Sequence, residues 1–185
     1  MALALLVRHA APVIDPSAPS SEWVLSAEGE EAARRLARHL ARPVRGPLYS
    51  SAETKAVQTA SALAEEWGLR VRVEDGLREV GGRRWAASGR EYEQSVSRYL
   101  RSETVDGWEG LAEAQDRVVA TMRKLMRGED ALFVSHGLVL VLGLAWLLNA
   151  EPATLLPVWR TIRFPDLCIV DWEARTVPRA FGQPL

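Results

Sequence analysis

The stretch Ala2-Leu3-Ala4-Leu5-Leu6-Val7-Arg8-His9-Ala10 decides how the rest of the chain is read. Six consecutive apolar residues have no polar face, which suits a strand covered on both sides, as in a parallel sheet. Arg8 and His9 then stand at its carboxyl end, where open α/β sheets bind their ligands. Polar residues also end strands for no functional reason, so this stretch alone supports either reading.

A second junction has the same form. Ala131-Leu132-Phe133-Val134 is again unbroken and apolar, and it delivers Ser135-His136-Gly137. Parallel strands would present His9 and His136 at one edge of one sheet. Between the junctions the pattern alternates. Residues 26–41 read as an amphipathic helix behind Ser26, acidic at its start and basic at its end, with His39 at a solvated terminus. Residues 47–50 read as a short strand, and 52–67 as a helix capped by Ser51 and closed by Gly68. Val71-Arg72-Val73 alternates as a strand, and Leu77-Arg78-Glu79 is extended or loop. Helices are expected over 90–101 and 111–127, the second ended by Gly128. Residues 138–148 form an apolar helix that must be buried. Residues 167–172 and 176–181 read as a strand pair turning near Glu173-Ala174. The alternation predicts an α/β fold, a three-layer αβα sandwich around a mostly parallel sheet. Residues 1–185 read as a single domain, with 81–110 as a short covering insertion.

Composition narrows the function. At 185 residues, with 48% apolar and 25% charged residues, the chain is an ordinary globular protein, and a net charge of −1 gives no global field for nucleic acid or membrane. Attraction for an anion must be local. The apolar run 137–150 is too short to span a bilayer, and no basic region precedes the N-terminal apolar stretch as a secretory signal requires. Cys168, the only cysteine, lies in an apolar run and reads as a small buried hydrophobe; its isolation fits a reducing, cytoplasmic compartment. Trp146 and Trp172 read as core, whereas Trp23, Trp85 and Trp108 lie in loops that could border a site.

Two imidazoles at a strand edge serve metal ligation or phosphoryl chemistry. A metal site needs further ligands at suitable spacing, and no HExxH-like cluster is present, so metal is not expected. Phosphoryl chemistry needs cations, a nucleophile and an acid for the leaving oxygen. Arg8 supplies a cation, and the helix beginning at Gly137 offers amide donors and the positive end of a dipole.

Four segments together resemble one family. Arg8-His9-Ala10 resembles the Arg-His-Gly signature of the histidine phosphatase superfamily, the phosphoglycerate mutase-like proteins. Ser51-Ala52-Glu53-Thr54-Lys55-Ala56-Val57-Gln58-Thr59-Ala60 is similar to its Ser-x-x-x-Arg-Ala-x-Gln-Thr-Ala segment. Leu77-Arg78-Glu79 is similar to its Leu-x-Glu segment, with Trp85 beyond it, and Ser135-His136-Gly137 matches its late Ser-His-Gly. The segments occur in family order over residues 6–137.

The resemblance implies that His9 attacks phosphorus and carries the phosphoryl group, that His136 and Arg8 stabilise the equatorial oxygens, and that Glu79 protonates the leaving alkoxide. Lys55 and Gly137 would complete phosphate binding, with no metal or organic cofactor. The partner is then a small-molecule phosphate ester. An exposed sheet edge could support a homodimer. Read without the resemblance, Glu79 is a solvated carboxylate pairing Arg78 or Arg83.

Departures from the family pattern matter. Lys55 stands where an Arg is usual, in a chain whose only other lysine is Lys124; Lys keeps the charge but gives a point contact, so weaker phosphate binding is expected. Ala10 replaces Gly, Pro12 lacks an N–H, and Asp15 stands where an Asn donor is expected. The expected function is phosphomonoester hydrolysis. A phosphoglycerate mutase-like phosphotransferase and a non-catalytic anion-binding module are the alternatives.

Overall fold

The computed structural model describes residues 2–40, 45–81 and 89–184. Arg83, Arg84 and Trp85 lie outside the described residues.

Among the described residues the strands are β1 (Leu3–Arg8), β2 (Leu48–Ser50), β3 (Val71–Val73), β4 (Ala131–Ser135), β5 (Asp166–Asp171) and β6 (Thr176–Arg179). They form one sheet in the order β3-β2-β4-β1-β5-β6. The first four in that order are parallel, β5 runs antiparallel to β1, and β6 runs antiparallel to β5. The helices are α1 (Ala27–His39), α2 (Thr54–Trp67), α3 (Gly89–Leu100), α4 (Leu111–Leu125), α5 (Gly137–Leu148) and α6 (Leu156–Thr161).

The apolar runs behave as doubly covered strands should. Successive side chains point to opposite faces. Ala4 and Leu6 of β1 join Phe133 of β4 in a core with α3, α4 and α5, while Leu5 and Val7 join Leu132 and Val134 in a core with α1 and α2. These are the three expected layers. Helix α5 is buried along nearly its whole length, and each of its Leu or Val side chains removed from water contributes about 1.5–3 kcal/mol. Asn149, left-handed at φ 52°, ends it.

Several boundaries differ from expectation. Ser51 does not cap α2: the helix begins at Thr54, with Glu53 at the N-cap position. Trp146 and Trp172 are half-buried rather than core; they pack on each other at 5.6 Å, and the Arg175 guanidinium lies 5.0 Å from the Trp146 ring. Helix α6 and the 3-10 turn Pro152–Leu155 ahead of it had no counterpart in the sequence pattern. Cys168 is buried, and burial raises its thiol to about 12. Among the described residues no helix is long and apolar enough to cross a membrane.

Candidate active site

Sheet register brings the two histidines together. Arg8 pairs with Ser135 across the parallel β1–β4 ladder, and the His9 amide donates to the Ser135 carbonyl at 3.0 Å, so His9 and His136 leave the sheet side by side. Their rings meet edge to face, with centroids 5.1 Å apart at 60°. On the other side of β4, Ser50 pairs with Val134 and the Ser51 amide donates to the Val134 carbonyl. Three strand ends therefore converge, as the carboxyl edge of an α/β sheet allows.

His9 has a defined proton. His9 Nδ1 lies 2.8 Å from the Ala10 carbonyl oxygen, which can only accept, so Nδ1 carries the hydrogen and Nε2 the lone pair. Ser51 Oγ accepts the Glu53 amide at 3.2 Å and lies 2.8 Å from His136 Nε2. Where that hydroxyl accepts, Nε2 carries the hydrogen of neutral His136; where it donates, the hydrogen falls on Nδ1. That nitrogen is buried and has no partner among the described residues. Burial holds His9 well below the ordinary imidazole range, aided by His136, Lys55 and Arg8; burial, Lys55 and Arg8 do the same to His136.

Arg8 is buried at the end of β1. Its Nη1 donates to the Ile162 carbonyl at 2.7 Å, and its Cζ lies over the Phe164 ring, 3.4 Å from the centroid. Burial lowers the guanidinium to about 10, so it keeps its charge at neutral pH. Its Nε is unpartnered among the described residues, as is the buried Trp159 Nε1 from α6. A Cβ on Gly137 would stand 3.3 Å from both nitrogens. Gly137 thus leaves room for the Arg8 guanidinium.

The Glu79 carboxyl is enclosed, although part of the residue reaches solvent. It accepts Val80 N at 3.0 Å and the first α5 amides, Leu138 N at 3.4 Å and Val139 N at 3.3 Å. Two amide donors of this helix start, Leu138 and Val139, are therefore occupied by Glu79. Burial raises its pKa, and the Glu53 charge adds to the effect. The alternative pairing with Arg78 does not occur: Arg78 meets Asp75 and Glu109 instead. Arg117 of α4 braces the loop by donating to the Gly76 and Arg78 carbonyls at 2.9 and 3.0 Å, while Ser135 Oγ donates to Leu77 O at 2.7 Å.

Lys55 is buried in the same cluster, but it is not free. Nζ donates to Glu53 Oε2 at 2.5 Å and to the Ser20 carbonyl at 2.6 Å. Glu53 escaped the sequence reading because an acidic residue at a helix start has an ordinary explanation in the dipole. Tyr92 and Trp159 were missed as well; their rings pack 5.9 Å apart beside Arg8.

The loop after His9 is tied down. Ala10 N donates to Thr59 Oγ1 at 2.9 Å, and Pro12 pairs with Leu25 in an isolated bridge. Ala10 is not among the residues with positive φ, so Ala costs nothing there. The Asp15 carboxylate accepts Ser17 N and Oγ at the surface; it takes no anion-donor position. Trp23 is buried, its Nε1 donating to Asp15 O at 2.8 Å, and its ring lies 5.9 Å from Lys55 Nζ. Trp108 packs on Tyr99 and Tyr92. Among the described residues, no group of three or more His, Cys, Asp or Glu is placed to hold a metal ion.

Among curated proteins no sequence match reaches significance. Solved structures share the fold. A mycobacterial glucosyl-3-phosphoglycerate phosphatase superposes with TM-score 0.76 at 20% identity, covering 98% of this chain and 99% of its own. A phosphoserine phosphatase from Entamoeba histolytica gives 0.75 at 17%, covering 99% and 98%. A protein from Thermus thermophilus gives 0.65 at 25%, covering 97% and 96%. The sequence profile of the histidine phosphatase superfamily (branch 1) matches residues 4–176. With nearly the whole described sheet and both histidine junctions inside that match, the chain belongs to the histidine phosphatase superfamily.

Proposed function

We propose that the protein hydrolyses phosphomonoesters of small metabolites through a phosphohistidine on His9. One observation carries the reading: an unprotonated His9 Nε2 stands beside a buried cation, Arg8, an unpartnered imidazole nitrogen on His136, and a carboxyl, Glu79, whose pKa is raised. Phosphatases among proteins of this fold, with glucosyl-3-phosphoglycerate and phosphoserine in their names, support a small phosphorylated substrate.

The reaction proceeds in two displacements. His9 Nε2 forms a bond to phosphorus as the bond to the ester oxygen breaks, and Glu79 gives that oxygen its proton. Low basicity of the ring keeps His9 neutral and able to attack. Arg8 and His136 Nδ1–H meet the equatorial oxygens, which carry the charge of the transition state. Water then attacks phosphorus, Glu79 takes its proton, and the P–N bond breaks. The lone buried Cys168 supports a cytoplasmic setting for this chemistry.

A labelled phosphomonoester with an alkaline denaturing quench tests the mechanism. Alkali-stable, acid-labile label that disappears in His9→Ala is the expected result. Absence of both label and turnover across a substrate panel overturns it. Release of inorganic phosphate from 3-phosphoglycerate, without 2-phosphoglycerate, separates the hydrolase from a mutase.

A further inference from the structure

Glu53 touches three groups of the site at once. Its Oε2 pairs with Lys55 Nζ at 2.5 Å, its Oε1 accepts the Glu79 backbone N–H at 2.8 Å, and Oε1 also lies 3.5 Å from His136 Nε2. An acidic residue serving only the helix dipole would sit in water beside the first α2 amides. Glu53 instead turns its carboxylate inward; it makes no side-chain cap bond to α2 and is buried. A buried carboxylate carries a large desolvation penalty, so its inward placement calls for a return from the groups it meets.

Two of the three Lys55 donors already point into protein, at Glu53 and Ser20 O. The cation expected to grip phosphate is therefore held back, with its charge balanced before any ligand arrives. At the same time Glu53 anchors the backbone that carries the proposed acid. Resting on the phosphatase reading above, we propose that Glu53 is a positioning residue that restrains Lys55 from full engagement with phosphate and fixes the chain beneath Glu79.

The arrangement has an electrostatic consequence. The Glu79 carboxyl faces Arg8 from β1, Glu53 ahead of α2, Tyr92 from α3 and the Leu138 and Val139 amides of α5. Burial pushes the Glu79 pKa up and the Glu53 charge pushes it the same way, whereas the Val80 and Leu138 amides and Arg8 oppose this. One carboxylate thus favours the proton donor and disfavours tight retention of product phosphate.

Glu53→Gln tests this, because Gln retains an oxygen for the Glu79 N–H but removes the charge. Turnover of glycerol 2-phosphate and inhibition by inorganic phosphate are measured across pH 5–9. Removing one charge at this range tightens KM and the phosphate inhibition constant about three- to tenfold, lowers kcat, and moves the alkaline limb of kcat to lower pH. A residue with only a scaffolding part would not tighten phosphate. Glu53→Asp keeps the charge and loses reach, so its kcat falls while the limb stays in place. An unchanged or weakened phosphate affinity in folded Glu53→Gln, or an unmoved limb, overturns the proposal. Calorimetric binding of inorganic phosphate reads the affinity change without turnover, so an inactive wild-type chain would sink the phosphatase reading while leaving this one testable.

Discussion

The Arg8 guanidinium is covered by the Phe164 ring, Cζ to centroid 3.4 Å, although the ring itself is 42% exposed. A surface aromatic therefore roofs a buried cation of the site. Phe164 also lies 5.3 Å from the His9 ring, so one side chain screens His9 and Arg8 together.

Phe164→Ala removes that roof. Desolvated cation–π contacts contribute about 0.5–2 kcal/mol, and water admitted to Arg8 weakens its hold on phosphate. Vanadate inhibition should weaken about three- to tenfold, with little change in melting temperature because the ring is partly in solvent. Unchanged inhibition would remove Phe164 from the site.

Glu79→Gln deletes the proposed acid and keeps its shape. Positioned acids are typically worth about 10²–10⁴ in rate. The kcat for an alkyl phosphate should fall within that range, whereas p-nitrophenyl phosphate, whose leaving group needs no proton, should lose far less. Equal losses on both esters would place Glu79 outside proton transfer.

Lys55→Met strands the Glu53 carboxylate among buried groups. Breaking a buried pair by removing one partner costs about 3–5 kcal/mol. Chemical denaturation should show that loss, and Lys55→Met/Glu53→Gln should recover most of it. Additive losses in the double variant would mean that the two charges do not act on each other.

Stability should depend on pH through the two site histidines. Each has a folded pKa depressed well below its ordinary 6.5, so the unfolded chain takes up protons first. Their contribution is complete above about pH 6.5 and is lost below it, at about 1.4 kcal/mol per pH unit for each ring. Glu79, raised from 4.5, acts with the opposite sign and offsets about one ring's share where the windows overlap. Unfolding free energy should therefore decline from pH 6.5 toward 5, and more steeply in Glu79→Gln. A flat profile in the wild-type chain contradicts neutral buried imidazoles.

The sequence revealed best what depends on periodicity. Arg8, His9, Ser135 and His136 follow unbroken apolar runs, and strands of that kind carry their register with them. Glu53 was illegible because its side chain acts across the fold, on Glu79 and Lys55, while its local position has an ordinary explanation. The Ser51 hydroxyl accepts the Glu53 amide ahead of the helix, which begins at Thr54, and it also meets His136, 85 residues away, a contact no local pattern shows. Helix α6 was hidden by Pro152 and Pro157, which sit in the first turns of the two short helical segments, where proline is tolerated. Trp159, on that helix, was hidden with it.

The register of β1 on β4 fixes more than the meeting of two side chains. Neighbouring strands lie about 4.8 Å apart, and the His9 and His136 rings, one residue beyond paired positions, are separated by 5.1 Å. The backbone ladder is the ruler, and the surrounding loops only furnish the room. Changes in the residues lining that room can reshape it while the distance between the two rings survives. A spacing of two imidazoles written into hydrogen bonds of the main chain is insulated from most side-chain substitution.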